Sequence, residues 1–417
     1  MQDHAARPGS PRSPSLRRRE LVAAGLGALV AAACRSTRPA RPRDLFPLAD
    51  EHVFLDAAGG TPLSRFTEAG LRRYEAYWRL GPGGGRGEAV TEALSETRAA
   101  FARLVGARPG EIAFVPCTKA GEQIVLDGLP ALRSGGNVVT NDMHFAGSLH
   151  NLVGLRRAGM DVRIVRAVDW DVPLEAMAAA IDERTALVAV TLVSNVNGRV
   201  EPLPELAEIA HAQGAHVYAD IIQAAGIVPL DLRALGVDFA ACSGYKWLFG
   251  PHGAGFFWVR EELQGTALPD HLFPGHAVHN YEPWVAAPDP DAGEFVYRPP
   301  QDAQRYQPGH VSYLGYSALR ESLRFIESLG VENLLRHSVR LNRRLVEGLD
   351  PERYELLSPH ADRSPIVSFR TRVAIDLGES VRAKRVAVAG GGAGFRVSPA
   401  IYNDESDIDR LLEALNG

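Results

Sequence analysis

The sequence predicts an α/β protein built on a mainly parallel sheet covered by helices on both faces. Short apolar runs bounded by turn residues recur at 111–116, 137–140, 162–165, 186–193, 216–220, 239–242 and 254–259. That is the pattern of strands buried on both faces. Between most of them lie segments with apolar residues at helical spacing, the rhythm of strand–helix–strand units. The 417 residues are 46% hydrophobic and 23% charged, which is length for more than one core-forming unit and the balance of a globular protein. The formal net charge is -5, with no basic stripe outside the N-terminus, so nucleic acid is not an expected partner. The three cysteines, Cys34, Cys117 and Cys242, show neither metal-ligand spacing nor a disulfide framework. The 13 histidines form no His-Glu-x-x-His or comparable cluster, so no metal site is expected.

Taken in order, the chain starts with an address. Residues 1–15 are polar and rich in Pro and Ser; a basic stretch follows, then an apolar run at 22–33. The run is too short to span a bilayer comfortably and matches a secretory signal. Arg18-Arg19 before Glu20-Leu21 looks like a bacterial twin-arginine signal, so residues 1–34 are expected to direct export to the periplasm or beyond. Ala31-Ala32-Ala33-Cys34 fits small-residue cleavage. It resembles less closely a lipoprotein box with a lipid anchor on Cys34, because the usual leucine three residues before the cysteine is absent. An uncleaved basic amphipathic tail is the alternative. Residues 35–49, with Pro39, Pro42 and several arginines, read as a linker.

The small residues of Leu55-Asp56-Ala57-Ala58-Gly59-Gly60 allow close backbone approach to a neighbouring element. Residues 66–80 and 88–105 carry helical spacing. The glycine-rich stretch 81–87 between them follows a helix rather than a strand, so it reads as a mobile loop and not as a dinucleotide motif. After the strand at 111–116, Cys117-Thr118-Lys119-Ala120-Gly121 turns into a helix at 122–129. Such a turn offers backbone N–H groups to an anion, with an ordinary N-cap by Thr118 as the alternative. The run at 216–223 contains Asp220, an acid at a strand's carboxyl end, where α/β sheets place ligand chemistry. Gln223, three residues on, can face the same ligand. Lys246 lies in the turn Ser243-Gly244-Tyr245-Lys246-Trp247-Leu248-Phe249-Gly250 between two apolar runs. The chain has only three lysines, Lys119, Lys246 and Lys384, so solubility rests on arginine and a lysine in an apolar setting needs a reason. Burial would lower its ammonium pKa and make a Schiff-base nucleophile; a lysine closing the turn with its head in water is the alternative. A pyridoxal phosphate (PLP) enzyme needs this lysine for the imine, and a carboxylate such as Asp220 to hold the pyridinium nitrogen protonated.

The Asp-x-x-Gln at 220–223 followed by Ser-x-Tyr-Lys at 243–246 resembles the fold type I PLP enzymes, specifically the class V aminotransferase family. That family includes cysteine desulfurases, isopenicillin-N-epimerase-like proteins and kynureninases. The resemblance spans residues 50–415 with its motifs in family order. It implies a large PLP-binding domain at 50–310 with a mainly parallel seven-stranded sheet, a smaller C-terminal α+β domain at 311–417, and a homodimer. By the resemblance, Lys246 forms the internal imine and moves the Cα proton, Asp220 pairs with the pyridinium, and Gln223 contacts the phenolic oxygen. Thr118, Lys119, Ser243 and Tyr245 hold the phosphate. His144 stacks on the ring, with Phe145 as the alternative, and Asn195 bonds the cofactor or substrate. Arg86 lies near the mouth. Arg396, in Gly394-Phe395-Arg396-Val397-Ser398-Pro399, clamps the substrate carboxylate, a task that suits a bidentate guanidinium. Gln304 to His310 resembles a segment that crosses the dimer interface to the phosphate, although many relatives have Thr where this chain has His310.

Cysteine desulfurases carry a nucleophilic cysteine before the C-terminal arginine, and here no cysteine follows Cys242. Cys242 belongs to an apolar run and is expected to be inert core. The implied function is a PLP-dependent enzyme acting on an α-amino acid or amino-acid-bearing metabolite, by transamination or epimerisation. A lyase or desulfurase-like enzyme lacking the usual cysteine is the alternative, and a non-catalytic binding protein on this scaffold is the third reading.

Overall fold

The computed structural model describes residues 41–269, 300–372, 378–391 and 394–416. The expected export signal, with Cys34, lies outside the described residues, as do residues 270–299.

A mixed sheet of seven strands organises the chain. They are β1 (Ile112–Val115), β2 (Asn137–Asn141), β3 (Val162–Val165), β4 (Thr185–Thr191), β5 (His216–Asp220), β6 (Phe239–Ser243) and β7 (Gly255–Val259). Their spatial order is β1-β7-β6-β5-β4-β2-β3. Strands β3, β2, β4, β5 and β6 pair in parallel, while β7 runs antiparallel to both β6 and β1. Being antiparallel to β7, β1 points the same way as the parallel strands. All strands but β7 therefore end on one edge.

The expected mainly parallel sheet is present; an apolar run carries no strand direction, so the reversal of β7 was not readable in it. Successive strand residues serve opposite faces. Val139, Val188, Val217, Ala240 and Phe256 enter one core cluster, and Val138, Leu187, Tyr218, Phe239 and Phe257 the other.

The longer helices are α1 (Arg65–Leu80), α2 (Arg86–Leu104), α3 (Thr118–Gly128), α4 (Ala146–Arg157), α5 (Leu174–Ala180), α6 (Leu203–Ala212), α7 (Tyr313–Leu329), α8 (Val331–Gly348) and α9 (Glu405–Asn416). The glycine-rich stretch is a tight link rather than a loop: Pro82–Gly84 makes one 3-10 turn and Arg86 opens α2. Helix α3 starts at Thr118, ahead of the expected 122, without a side-chain cap. The Thr118 N–H is instead donated to Ser243 Oγ at the end of β6, at 2.9 Å. Gly121 permits that approach, since a β-carbon there would lie 2.6 Å from Ala241 Cβ.

A second, antiparallel sheet of four strands follows: β8 (Tyr354–Leu356), β9 (Val367–Thr371), β10 (Ala389–Gly391) and β11 (Gly394–Val397), in the order β10-β11-β9-β8. Leu341 and Leu345 of α8 and Ile408 and Leu411 of α9 pack into its core, together with Val53 and Leu55 from the start of the chain. Val53–Phe54 pairs in parallel with Val386–Ala387. Within the stretch read as a linker, residues 42–49 are folded. Pro42–Leu45 is a 3-10 turn, and Phe46 is fully buried with its ring 4.8 Å from Tyr402 and 5.4 Å from Phe249. Among the described residues no helix is long and apolar enough to cross a membrane, and no group of three or more His, Cys, Asp or Glu residues is arranged to hold a metal ion.

Candidate active site

The carboxyl edge of the large sheet gathers the residues singled out above. Asp220 ends β5 and Ser243 ends β6. Thr118 and Lys119 open α3 after β1, His144 and Asn195 follow β2 and β4, and Lys246 lies just past β6. The loops at this edge of an open α/β sheet form its ligand crevice. Arg396 reaches the same place from β11.

The Lys246 backbone is fixed on several sides. Its carbonyl accepts hydrogen bonds from Phe249 N–H at 2.9 Å and from Thr61 Oγ1 at 3.0 Å. Phe249 holds φ +54°, a costly conformation for a bulky residue of roughly 1–3 kcal/mol, and is kept there by packing against Phe46, Phe66 and Phe325. The Lys246 side chain is only 7% exposed. Burial pushes its ammonium down to about 8; Asp220 and Asp56 oppose that shift and Arg396 adds to it. A useful fraction of neutral amine is thus available near neutrality.

Asp220 is 3% exposed, and its Oδ1 accepts the Ile222 N–H at 2.9 Å. Burial raises its carboxyl above the usual range against the pull of His144, the Ile222 N–H and Lys246. His144 is buried with no hydrogen-bond partner on either ring nitrogen among the described residues, whereas Phe145, the alternative, is 39% exposed. Gln223 donates from Nε2 to Ala58 O at 2.9 Å and accepts from Trp247 Nε1 at 2.8 Å, leaving its second amide hydrogen for a ligand. Thr118 Oγ1 and Ser243 Oγ lie 3.0 Å apart.

Lys119 is turned along α3, where its Nζ pairs with Glu122 and lies 3.4 Å from Ser148 Oγ. The half-buried Tyr245 ring stacks on His252 with centroids 4.1 Å apart. Arg396 donates from Nη2 to Asp56 Oδ1 at 2.8 Å and from Nη1 to the Asn195 carbonyl at 3.0 Å, while its buried Nε has no partner among the described residues. Cys242 is fully buried, which pushes its thiol well up and removes it from nucleophilic chemistry. His310 is exposed, with Nδ1 2.6 Å from Tyr313 Oη. Arg86 is the first residue of α2.

Asp56, Glu122 and His252 are members of this neighbourhood that sequence reasoning did not assign. Only Asp56 left a signal, as the single acid among the small residues at 55–60. The group suits PLP. A buried carboxylate with a raised pKa, a buried lysine near 8 and an imidazole with both nitrogens unpartnered are each costly alone. A pyridinium N–H would answer the carboxylate and the aldehyde carbon the lysine, and the imidazole would offer a flat face to the ring. The hydroxyls of Thr118 and Ser243 at the start of α3 suit the phosphate.

Comparison with known proteins agrees. Residues 53–411 match the family described as Aminotransferase class-V. A probable cysteine desulfurase of Methanothermobacter thermautotrophicus is 29% identical over 398 residues, covering 89% of this chain and 96% of that protein. The apo structure of the cysteine desulfurase from Thermococcus onnurineus NA1 superposes with a TM-score of 0.78 at 22% identity, over 91% of this chain and 98% of that one. The cystine C–S lyase C-DES, in complex with its product cysteine persulfide, gives 0.78 at 20% identity over 89% and 98%. A mutant of C-DES with glycine covalently linked to the PLP cofactor gives 0.80 at 19% over 91% and 99%. These solved structures establish the fold. With the family match, they make this chain a member of the class V aminotransferase family of fold type I PLP-dependent enzymes.

Proposed function

We propose that the chain is a PLP-dependent enzyme that takes an α-amino acid and cleaves a Cβ–S bond without using a thiol of its own. The observation that carries the reading is the convergence of the buried Lys246 and Asp220 with Arg396 at one sheet edge. PLP, when bound, supplies the electron sink for bond breaking at Cα. Arg396 fixes the substrate carboxylate, sharing a guanidinium that Asp56 and the Asn195 carbonyl already orient. Lys246 Nζ takes the Cα proton, as a base with a pKa of about 8 can do near neutrality. Asp220 is the residue that would hold the ring nitrogen protonated.

The Cβ–S electron pair then leaves with the sulfur as a thiolate, which is protonated and released. The remaining enamine hydrolyses to a 2-oxo acid and ammonium. The relatives named cysteine desulfurase and cystine C–S lyase support elimination at sulfur. The absence of any cysteine after Cys242 favours release of the sulfur over its capture by the protein. Transamination and epimerisation start from the same proton removal and form the second reading, because neither needs the missing thiol.

Holoprotein incubated with cysteine or cystine should form pyruvate together with sulfide or persulfide. Lys246→Ala should be silent, and Arg396→Lys should raise KM roughly tenfold or more, because lysine cannot reproduce a bidentate clamp. A 2-oxo acid appearing only when an amino-group acceptor is added would move the assignment to transamination. No product from any amino acid, in protein that carries the cofactor, would sink the catalytic reading.

A further inference from the structure

Helices α3 and α4 carry a line of polar side chains that leads to His144 and has no place in the chemistry above. Glu122, the fifth residue of α3, is 1% exposed, at a depth where an aliphatic residue is ordinary. Its Oε2 is engaged by Lys119 Nζ and by the Ser148 hydroxyl, which donates at 2.9 Å. Its Oε1 has no hydrogen-bond partner among the described residues and lies 3.4 Å from Nε2 of His144. His144 is also 1% exposed, and among the described residues neither of its nitrogens has another partner. Burial pushes the Glu122 carboxyl up, but His144 and Lys119 outweigh it and hold it below its usual range, so it is ionised at neutral pH. Of the other elements packed here, β5 brings the Asp220 carboxylate toward the same imidazole.

We propose that Glu122 is a positioning residue that fixes the ring orientation and the tautomer of His144. A neutral imidazole has one donor and one acceptor nitrogen, and a carboxylate takes the donor. Glu122 Oε1 therefore draws the Nε2–H, and Nδ1 is left as the lone-pair nitrogen. Lys119 and Ser148 keep the carboxylate from turning away. The inference rests on the reading of His144 as the residue at the cofactor ring.

The test is nitrogen-15 NMR of histidine-labelled holoprotein, with the His144 ring signals assigned by their loss in His144→Gln. The wild type should show a single Nε2–H tautomer. Glu122→Leu should bind a full complement of PLP, show mixed His144 tautomers and lose roughly tenfold to hundredfold in kcat with KM little changed, the usual cost of a mispositioned group. Glu122→Asp should recover part of both signals. A wild-type His144 protonated at Nδ1 overturns the proposal whether or not any variant folds, and so do ring signals or a kcat unchanged in Glu122→Leu. Wild-type protein showing no PLP absorption band would instead overturn the enzymatic reading.

Discussion

Asp220 and Asp238 are both nearly fully buried in the same sheet, at 3% and 4% exposure, and the protein treats them in opposite ways. Asp238 stands just before β6, at the amino edge. Its Oδ2 accepts the Val217 N–H at 2.9 Å and lies 2.9 Å from His211 Nε2 and 3.6 Å from His216 Nδ1. Arg260 stands 3.4 Å from its Oδ1. Burial pushes Asp238 up, but the two histidines and the Val217 N–H outweigh it and hold the carboxyl below its usual range. Asp220, at the carboxyl edge, receives the Ile222 N–H and sits above that range. One carboxylate is surrounded by donors of the fold, and the other, among the described residues, receives a single backbone N–H. That incompleteness, more than burial, marks the working edge of the sheet.

Exchanging each acid for its amide should separate the two edges. Asp220→Asn should lower kcat/KM by about 10²–10⁴-fold while leaving urea stability equal or improved, since it removes a buried charge. Asp238→Asn should do the reverse, costing about 1–3 kcal/mol of stability with kcat retained, because one acceptor oxygen and the negative charge are lost among the Val217 N–H, His211, His216 and Arg260. Kinetics and urea melts on the same preparations check both, and a shared phenotype would erase the distinction.

The acid side sharpens it. The depressed Asp238 stabilises the fold above its unfolded value of about 3.9, and that contribution fades as pH falls through its lower folded value. The deficit of Asp238→Asn should therefore vanish in strong acid. Asp220, being raised, destabilises the fold above its folded value, so any gain in Asp220→Asn belongs to neutral pH and disappears on acidification. The smallest expected effect lies with Lys246. Its reactivity toward a small amine reagent in apoprotein, followed by peptide mapping, should rise through about pH 8. In Asp220→Asn the midpoint should move lower, because Asp220 is the main group holding that ammonium up. An unmoved midpoint would uncouple the two residues.

Much of this was legible in the chain. Apolar runs bounded by turn residues located the strands, and Asp220 and Lys246 stood out as charged residues where a buried sheet has no use for them. What remained hidden was long-range pairing. The Thr118 N–H is capped by Ser243, 125 residues away, which is why α3 starts earlier than any local capping signal shows. Asp56 meets Arg396 across 340 residues. Glu122 carried no signal in the chain, and its setting appears only with α4 and His144 packed beside it. Propensity and periodicity report on neighbours in sequence, and each of these contacts joins strangers.

The Asp56–Arg396 pair also sets an order of events during synthesis. The strand ends proposed to hold the cofactor are all made by residue 246, but the guanidinium proposed to take the substrate carboxylate is made 150 residues later and must return to a segment near the beginning. On that reading a nascent chain contains the residues of its cofactor cradle well before it contains the one that tells an amino acid from any other amine. Selectivity is the last competence the ribosome delivers.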